Sequence, residues 1–174
     1  MNVALLTRVR RSIVLAPDRF CAAQWAFARN AGEVLRHGAP TEGFRCCIAG
    51  RVLLEGEGLS RRELLQKGGF HTGGGVWKRA AHAAALDGDQ ARRLFFPSQW
   101  DRPYKQQYYL CGRDEEATLA GSYIEYFVDE YGASSRSPVP RTAVAGVEAD
   151  RPARASGQGS RDELAPSRSA RTPA

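Results

Sequence analysis

The most uniformly apolar stretch of the chain runs Cys46-Cys47-Ile48-Ala49-Gly50-Arg51-Val52-Leu53-Leu54. Arg51 is its single polar residue. A segment that is apolar on every side has no face to present to water, so we expect it at the centre of the core. Its length suits either a helix or a buried strand, and periodicity does not separate the two. We favour a helix, in which the small Ala49 and Gly50 would let a neighbouring backbone come close.

Two helices are predicted on the N-terminal side of this stretch. The first covers residues 2–15, where spacings of three and four place the larger apolar residues on one face: Val3, Leu6, Val9 and Ile13. Pro17 ends it, because proline cannot continue a helix. Residues 20–34 predict a second, less regular helix, which the segment 37–40 (His-Gly-Ala-Pro) breaks.

Short helices are predicted on the C-terminal side. Ser60 and Glu63 have the spacing of a capping box and begin a helix of about two turns. Residues 76–86 form an alanine-rich helix, which Gly88 closes as a residue suited to a left-handed C-terminal turn. Asp89 is then predicted to cap a further short helix.

The last predicted helix completes a mainly α fold. Asp114 opens it, acidic residues in its first turn favour the helix dipole, and Gly132 closes it. No segment alternates cleanly between apolar and polar residues, as an exposed strand would. We therefore predict a small single domain with a core resembling a helical bundle, formed by residues 1–132.

The composition changes after Gly132. Residues 133–174 contain no aromatic residue, nine of their 13 apolar residues are alanine, and five of the nine prolines lie there. Such a segment cannot bury enough apolar surface to offset the ~1–2 kcal/mol per residue that backbone ordering costs. We predict a disordered C-terminal tail rich in Arg, Ser, Pro and Ala.

The basic charge is divided between these two parts. Lys and Arg number 25 against 19 Asp and Glu, a net charge of +6, of which the tail and residues 1–132 each carry +3. The folded part is thus close to balanced, and the charge alone is weak support for a nucleic-acid-binding fold.

Targeting signals and membrane spans are not expected. No apolar run reaches the ~20 residues of a membrane helix, and the apolar residues 3–6 are too few for a secretion signal. We expect a cytoplasmic protein without a membrane partner, whose cysteines are thiols: Cys21, Cys46, Cys47 and Cys111.

Several residues follow one another in a distinctive order. Pro17, Arg19 and Phe20 precede Trp25, the run Cys47-Ile48-Ala49-Gly50 and, later, an alanine-rich helix, Trp100 and the closing helix. This order resembles a diffuse group of small uncharacterised bacterial and phage proteins with the arrangement P-x-R-[FY]…W…C-I-A-G. The resemblance spans residues 3–131. It implies a small helical fold and no particular activity.

The four cysteines and three histidines are the candidates for metal or thiol chemistry. Structural zinc prefers ligand pairs such as C-x₂₋₄-C, whereas the only close cysteines, Cys46 and Cys47, are adjacent, so we predict neither a metal nor a cofactor. A cysteine nucleophile would need a base or a helix N-terminus to stabilise its thiolate. Cys46 or Cys47 with His71 is the one such combination, and we keep it as an alternative to buried core cysteines.

Two segments could contact a ligand. The loop with Gly73, Gly74 and Gly75 leads into a helix carrying Lys78 one turn in, which is a candidate anion site at a helix N-terminus. It lacks the phosphate-loop sequence G-x-x-x-x-G-K-[ST]. Residues 100–109 interleave rings and cations, as in proteins that bind single-stranded nucleic acid; the candidate contacts are Trp100, Arg102, Tyr104, Lys105 and Tyr108.

Taken together, these patterns favour a non-enzymatic binding or interaction module with weak nucleic-acid association. No catalytic residue is assigned in that interpretation. Two alternatives stay open: an enzyme using Cys46 or Cys47 with His71, and an adaptor that binds another protein and no charged ligand.

Overall fold

Helices account for most of the described chain. The computed structural model describes residues 1–67 and 75–132. Eight helices lie within those residues: α1 (Val3–Leu15), α2 (Ala31–His37), α3 (Ile48–Glu57), α4 (Arg61–Gln66), α5 (Gly75–Ala83), α6 (Gly88–Phe95), α7 (Tyr104–Leu110) and α8 (Glu116–Gly132). The two strands are β1 (Ala26–Phe27) and β2 (Arg45–Cys46), paired antiparallel. The predicted mainly α class is confirmed.

The chain divides into two units, Met1–Val139 and Pro140–Ala174. The second unit lies outside the described residues, as do residues 133–139. The predicted disordered tail at 133–174 therefore stays a prediction.

Helix α3 lies at the centre of the core and contacts α1, α4 and α5. All residues from Ile48 to Leu53 are buried, including Arg51, whose guanidinium donates a hydrogen bond to the carbonyl oxygen of Arg19 (3.0 Å). The favoured helix is thus present from Ile48 onward, whereas Cys46 belongs to β2.

Gly50 is the position at which the segments containing Trp25 and Cys46 come closest to α3. A Cβ atom at this position would lie 2.8 Å from the Cβ of Cys46 and 2.9 Å from the carbonyl oxygen of Trp25. Real Cβ atoms do not come so near to other atoms, since packed interiors leave no room for overlap. The missing side chain therefore allows the backbone at Trp25 to pack directly on the central helix.

Helices α1 and α8 pack along one another, and α1 also packs on α3. The predicted stripe of α1 is buried at Leu6, Val9 and Ile13, together with Leu5. Gly121 of α8 lets α1 come close, because a Cβ there would lie 2.7 Å from Cγ2 of Val14. At the rim of this contact Arg10 forms an ion pair with Glu125 (2.7 Å).

The predicted helix over residues 20–34 is wrong for most of its length. Only α2, from Ala31 onward, is helical, and the preceding residues contain β1. Their backbone groups bond across the fold: Cys21 N–H donates to the Cys46 carbonyl (3.3 Å), and Cys47 N–H donates to the Trp25 carbonyl (3.4 Å). The Trp25 indole N–H also donates to the Leu64 carbonyl (3.3 Å). These tertiary partners replace the bonds that a helix would have made.

Several predicted helix boundaries also change. Helix α8 begins at Glu116, not at Asp114, and α5 ends at Ala83, three residues before the predicted end at 86. Asp87, not Asp89, is the N-cap of α6. Its carboxylate accepts from the N–H groups of Asp89 and Gln90, and the Gln90 side-chain oxygen accepts from the Asp87 N–H. Gly88 is consequently the first residue of α6 and does not close α5. The capping box at Ser60 is confirmed.

None of the described helices combines the length and the apolar character that crossing a bilayer requires.

Candidate functional site

The segment with the predicted ligand contacts forms a turn followed by a short helix. Trp100 precedes the turn, and α7 (Tyr104–Leu110) follows it and packs against α8. This helix was not predicted. It has no fully buried residue, and a helix of two turns is marginal in water by itself, so α7 depends on the contacts of its side chains with α8.

Trp100 belongs to the core. Its side chain is 3% exposed, and the indole N–H donates to the carbonyl oxygen of Leu94 (3.1 Å). One face of the indole stacks on Tyr123 with ring centres 4.5 Å apart, and Tyr108 meets it edge-on at 5.5 Å. No face is left on which a base could stack, which corrects the assignment of Trp100 as a contact residue.

Of the two predicted tyrosines, Tyr104 packs on α8 and Tyr108 packs on Trp100, while the two predicted cations face water. Tyr104 packs against Tyr123 and Tyr126, each with a ring-centre distance of 5.3 Å. Tyr108 is partly buried, and that burial, with Glu116 nearby, raises the pKa of its phenol to about 12. Arg102 and Lys105 are exposed. The structure thus separates the rings from the cations, so the five residues do not form one stacking surface.

A polar network holds the turn between Trp100 and α7 in place. The Asp101 carboxylate pairs with the Arg93 guanidinium (2.9 Å) and accepts from the Tyr131 hydroxyl (3.2 Å). The Tyr123 hydroxyl donates to the Arg93 carbonyl oxygen (3.0 Å). Because these bonds join α6, the turn and α8, the position of α7 on α8 is set by several partners at once.

A groove of about 540 Å³ lies between α7 and α8. Its residues come from both helices and the connection between them: Tyr104, Gln107, Leu110, Cys111, Asp114, Glu115, Thr118, Leu119 and Ser122. Leu110 is 86% exposed, and the neighbouring Tyr109 is 64% exposed. An exposed apolar residue beside a concave, partly apolar surface is a common feature of binding sites. We call this surface the α7–α8 groove.

The charges that line the groove are all negative. Asp114 and Glu115 are its only ionisable acids or bases apart from Tyr104 and Cys111. A second cavity of about 450 Å³ adjoins it through Cys111 and contains Glu116, Arg113 and Cys21. The Glu116 carboxyl is partly buried and accepts from the Ala22 N–H (3.0 Å); burial outweighs this bond and raises the pKa of the carboxyl.

The candidate anion loop is described only at its end. Gly73 and Gly74 lie outside the described residues, as does His71. Gly75 is the exposed first residue of α5, and Lys78 is exposed one turn further. An anion site at this position stays a prediction.

The candidate thiol nucleophiles are enclosed by the core. Cys46 and Cys47 have no exposed surface, and desolvation by burial raises the pKa of each thiol to about 12. At neutral pH both are therefore protonated, and neither is placed where a substrate could reach it. As for metals, residues 1–67 and 75–132 contain no group of three His, Cys, Asp or Glu that could hold an ion.

The apolar residues at the groove are not predicted from the sequence, because no helix is predicted over residues 104–110. These residues are Tyr109, Leu110 and Leu119. A signal was present: Tyr104, Tyr108 and Cys111 stand at spacings of four and three, the pattern of a helix packed along one face. Comparison with known proteins adds nothing to this site, since no family model, curated protein or solved structure matches the chain.

Proposed function

We propose that the protein is a non-enzymatic interaction module that binds a basic, amphipathic segment of a partner protein in the α7–α8 groove. The observation that carries the proposal is the exposure of Leu110 beside a groove whose charged residues are both acidic.

The apolar part of the groove supplies an anchor site. Leu110 is almost fully exposed, whereas Leu119 is partly buried in the groove wall. Covering an exposed leucine with a partner side chain is worth ~1.5–3 kcal/mol. A partner that places one or two apolar side chains between α7 and α8 would obtain most of its affinity there.

The acidic part of the groove indicates the charge of the partner. Asp114 and Glu115 are both exposed and neither is part of an ion pair formed within the described residues. Lysine or arginine flanking the apolar anchor would approach them favourably, and a phosphate backbone would be repelled. Charge complementarity therefore favours a basic protein segment over nucleic acid at this groove.

The burial of the candidate nucleophiles supports a binding role over the cysteine-dependent alternative. Cys46 and Cys47 serve as packing residues beneath α3, and the groove thiol, Cys111, hydrogen-bonds to the Tyr108 carbonyl oxygen (3.3 Å). Burial and the nearby carboxylates of Glu116 and Glu115 raise the pKa of Cys111, which disfavours its thiolate as a nucleophile.

The proposal is tested by NMR titration of the full chain with two synthetic peptides, one with leucine and lysine at helical spacing and one with leucine and glutamate. We expect the lysine peptide to bind at least about tenfold more tightly and to shift the amide signals of Leu110, Thr118 and Leu119 most. Leu110→Ser should weaken binding about tenfold.

Matched variants distinguish binding in the α7–α8 groove from nonspecific binding to exposed apolar residues. Leu15→Ser removes a leucine that is 71% exposed and does not line the groove, so it should leave the affinity unchanged. Reversal of both charges, Asp114→Lys with Glu115→Lys, should invert the preference between the two peptides. Equal binding of the peptides, or equal effects of the two leucine variants, would refute the proposal.

A further inference from the structure

The basic charge of the described residues is concentrated in one region. Residues 26–45 and 60–67 together carry six basic and three acidic side chains. The rest of the described chain carries 12 of each. The net charge of +3 therefore arises entirely from β1, α2, β2, α4 and their connections.

Two arginines from separate parts of this region lie against the segment Gly43-Phe44-Arg45, which carries a third. Arg29 lies beside Gly43, its Nε 3.9 Å from where a Cβ of that glycine would be. The Arg61 guanidinium lies over the Phe44 ring, 5.5 Å from its centre. Arg45 is the third arginine and belongs to the segment itself. Each of the three consecutive residues therefore either contacts an arginine or is one.

This arrangement is held by the backbone, not by ion pairs. The Arg29 N–H donates to the Glu42 carbonyl oxygen (2.8 Å). The Asn30 side chain donates to the Pro40 carbonyl oxygen and accepts from the Glu42 N–H (2.9 Å each). None of the ion pairs formed among the described residues involves Arg29, Arg45 or Arg61. Arg45 does share a cavity of about 300 Å³ with Asp18 and Asp114, without pairing with either.

An aromatic ring accompanies the arginines. Phe27 is the cross-strand partner of Arg45, and directly opposed residues of an antiparallel pair project from the same side of the ribbon. Phe27 is 42% exposed, whereas Cys46, on the other side, is fully buried. Near this exposed ring, then, lie guanidinium groups that form no ion pair within residues 1–67 and 75–132. Proteins bind single strands with these two components, cations for the phosphates and a ring for a base.

We propose that Arg29, Arg45, Arg61 and Phe27 form a binding surface for single-stranded nucleic acid. We call it the arginine surface; it is an alternative to the predicted contacts in residues 100–109. Its four residues do not line the α7–α8 groove, and its ligand has the opposite charge to that of the proposed function, so its tests change no groove residue.

The test is fluorescence anisotropy with labelled oligo(dT) and oligo(U), using the full chain so that the arginines of residues 133–174 contribute equally throughout. Affinity is measured between about 50 and 200 mM salt, because phosphate contacts appear as the salt dependence. Removing two contacts with Arg29→Gln and Arg45→Gln should lower the slope of log K against log salt by about 1.4 for a single strand.

Phe27→Ala tests the stacking component. It should weaken binding of both oligonucleotides at least about fivefold while leaving the salt slope unchanged, since a ring contributes no counterion release. It should leave binding of inorganic polyphosphate, which has no bases, unaffected. A melting curve for each variant verifies that it is folded.

The matched control is the pair Arg8→Gln and Arg11→Gln on the exposed face of α1, which removes the same charge elsewhere. The proposal predicts a smaller loss of affinity and slope for this pair. It is overturned if neither oligonucleotide binds at the lowest salt, if the two arginine pairs have equal effects, or if Phe27→Ala binds oligonucleotides like the unmodified chain.

Discussion

Trp100 stacks on Tyr123 with ring centres 4.5 Å apart, and both residues are anchored by hydrogen bonds to α6. The indole N–H donates to the Leu94 carbonyl oxygen, and the phenol donates to the Arg93 carbonyl oxygen, so consecutive carbonyls at the end of α6 accept from both rings. These contacts connect α6 to α8 and set the position from which the chain enters α7.

Trp100→Ala should therefore destabilise the fold. We expect a loss of about 3–5 kcal/mol in the free energy of unfolding, because a large buried ring is removed and the surroundings can collapse only partly. Urea denaturation followed by circular dichroism measures it. Tyr109→Ala is the control: the side chain is 64% exposed, so its loss should change stability by no more than about 0.5 kcal/mol. A Trp100→Ala loss no larger than the control's would contradict the stacked arrangement.

Gly50→Ala should also be strongly destabilising. The added methyl would overlap the Cys46 side chain and the Trp25 carbonyl, and forcing extra volume into a packed core costs about 1–3 kcal/mol. Gly88→Ala is the comparison, since a Cβ there meets no atom within 4 Å and alanine is the better helix former. Thermal melting of both variants provides the measurement; equal melting temperatures would show that α3 is not packed as described.

Glu116→Gln should make stability less dependent on pH. Burial raises the pKa of the folded-state carboxyl above its value in the unfolded chain, so the folded state holds the proton more tightly. The free energy of unfolding of the unmodified protein therefore falls as the pH rises through the folded pKa. Glutamine keeps an oxygen to accept from Ala22 N–H and has no charge to desolvate.

The glutamine variant should accordingly be the more stable one at pH 7, by less than about 1 kcal/mol since the carboxyl is only partly buried. The advantage should disappear below the pKa of a free glutamate, where both side chains are neutral. Denaturation at a series of pH values measures this difference. Glu130→Gln is the control for loss of charge, because Glu130 is exposed on α8 and forms no ion pair within the described residues. An advantage that grows toward low pH would have the wrong sign.

Thiol labelling should divide the cysteines into two classes. Cys21 and Cys111 are partly exposed, whereas Cys46 and Cys47 are buried with pKa values raised to about 12. Ellman's reagent at pH 8 should thus react with the first pair in the folded protein and with the second pair only after denaturant is added. In a Cys21→Ser, Cys111→Ser variant, labelling without denaturant should be absent. Fast labelling of that variant would revive the cysteine nucleophile.

Features determined by neighbouring residues were predictable. The apolar run at 46–54 indicated a central element and favoured a helix, the stripe of α1 appeared in its three- and four-residue spacing, and the capping box at Ser60 required only a hydroxyl and a carboxylate three residues apart. Each of these features depends on residues within about one or two helical turns of one another, so it can be recognised from their spacing in the sequence.

Features determined by distant partners were not predictable in the same way. Residues 20–28 contain the side chains of an irregular helix, yet their backbone bonds go to Cys46 and Cys47, about 20 residues away in the chain. Trp100 lies in a segment whose rings and cations resemble a ligand-binding sequence, yet it is buried because it stacks on Tyr123 and donates to the Leu94 carbonyl oxygen. The same holds for the two surfaces proposed to bind partners.

By itself, then, the sequence determined the helical class, the central element and the balance of charge between the two parts of the chain. The tertiary structure determined which residues are available to a ligand. It enclosed Trp100, exposed Leu110, and placed Arg29 beside Gly43 and Arg61 over Phe44, the two residues that precede Arg45. The reason is physical: secondary structure follows from local spacing, whereas exposure and charge convergence depend on loop closures that bring remote segments together.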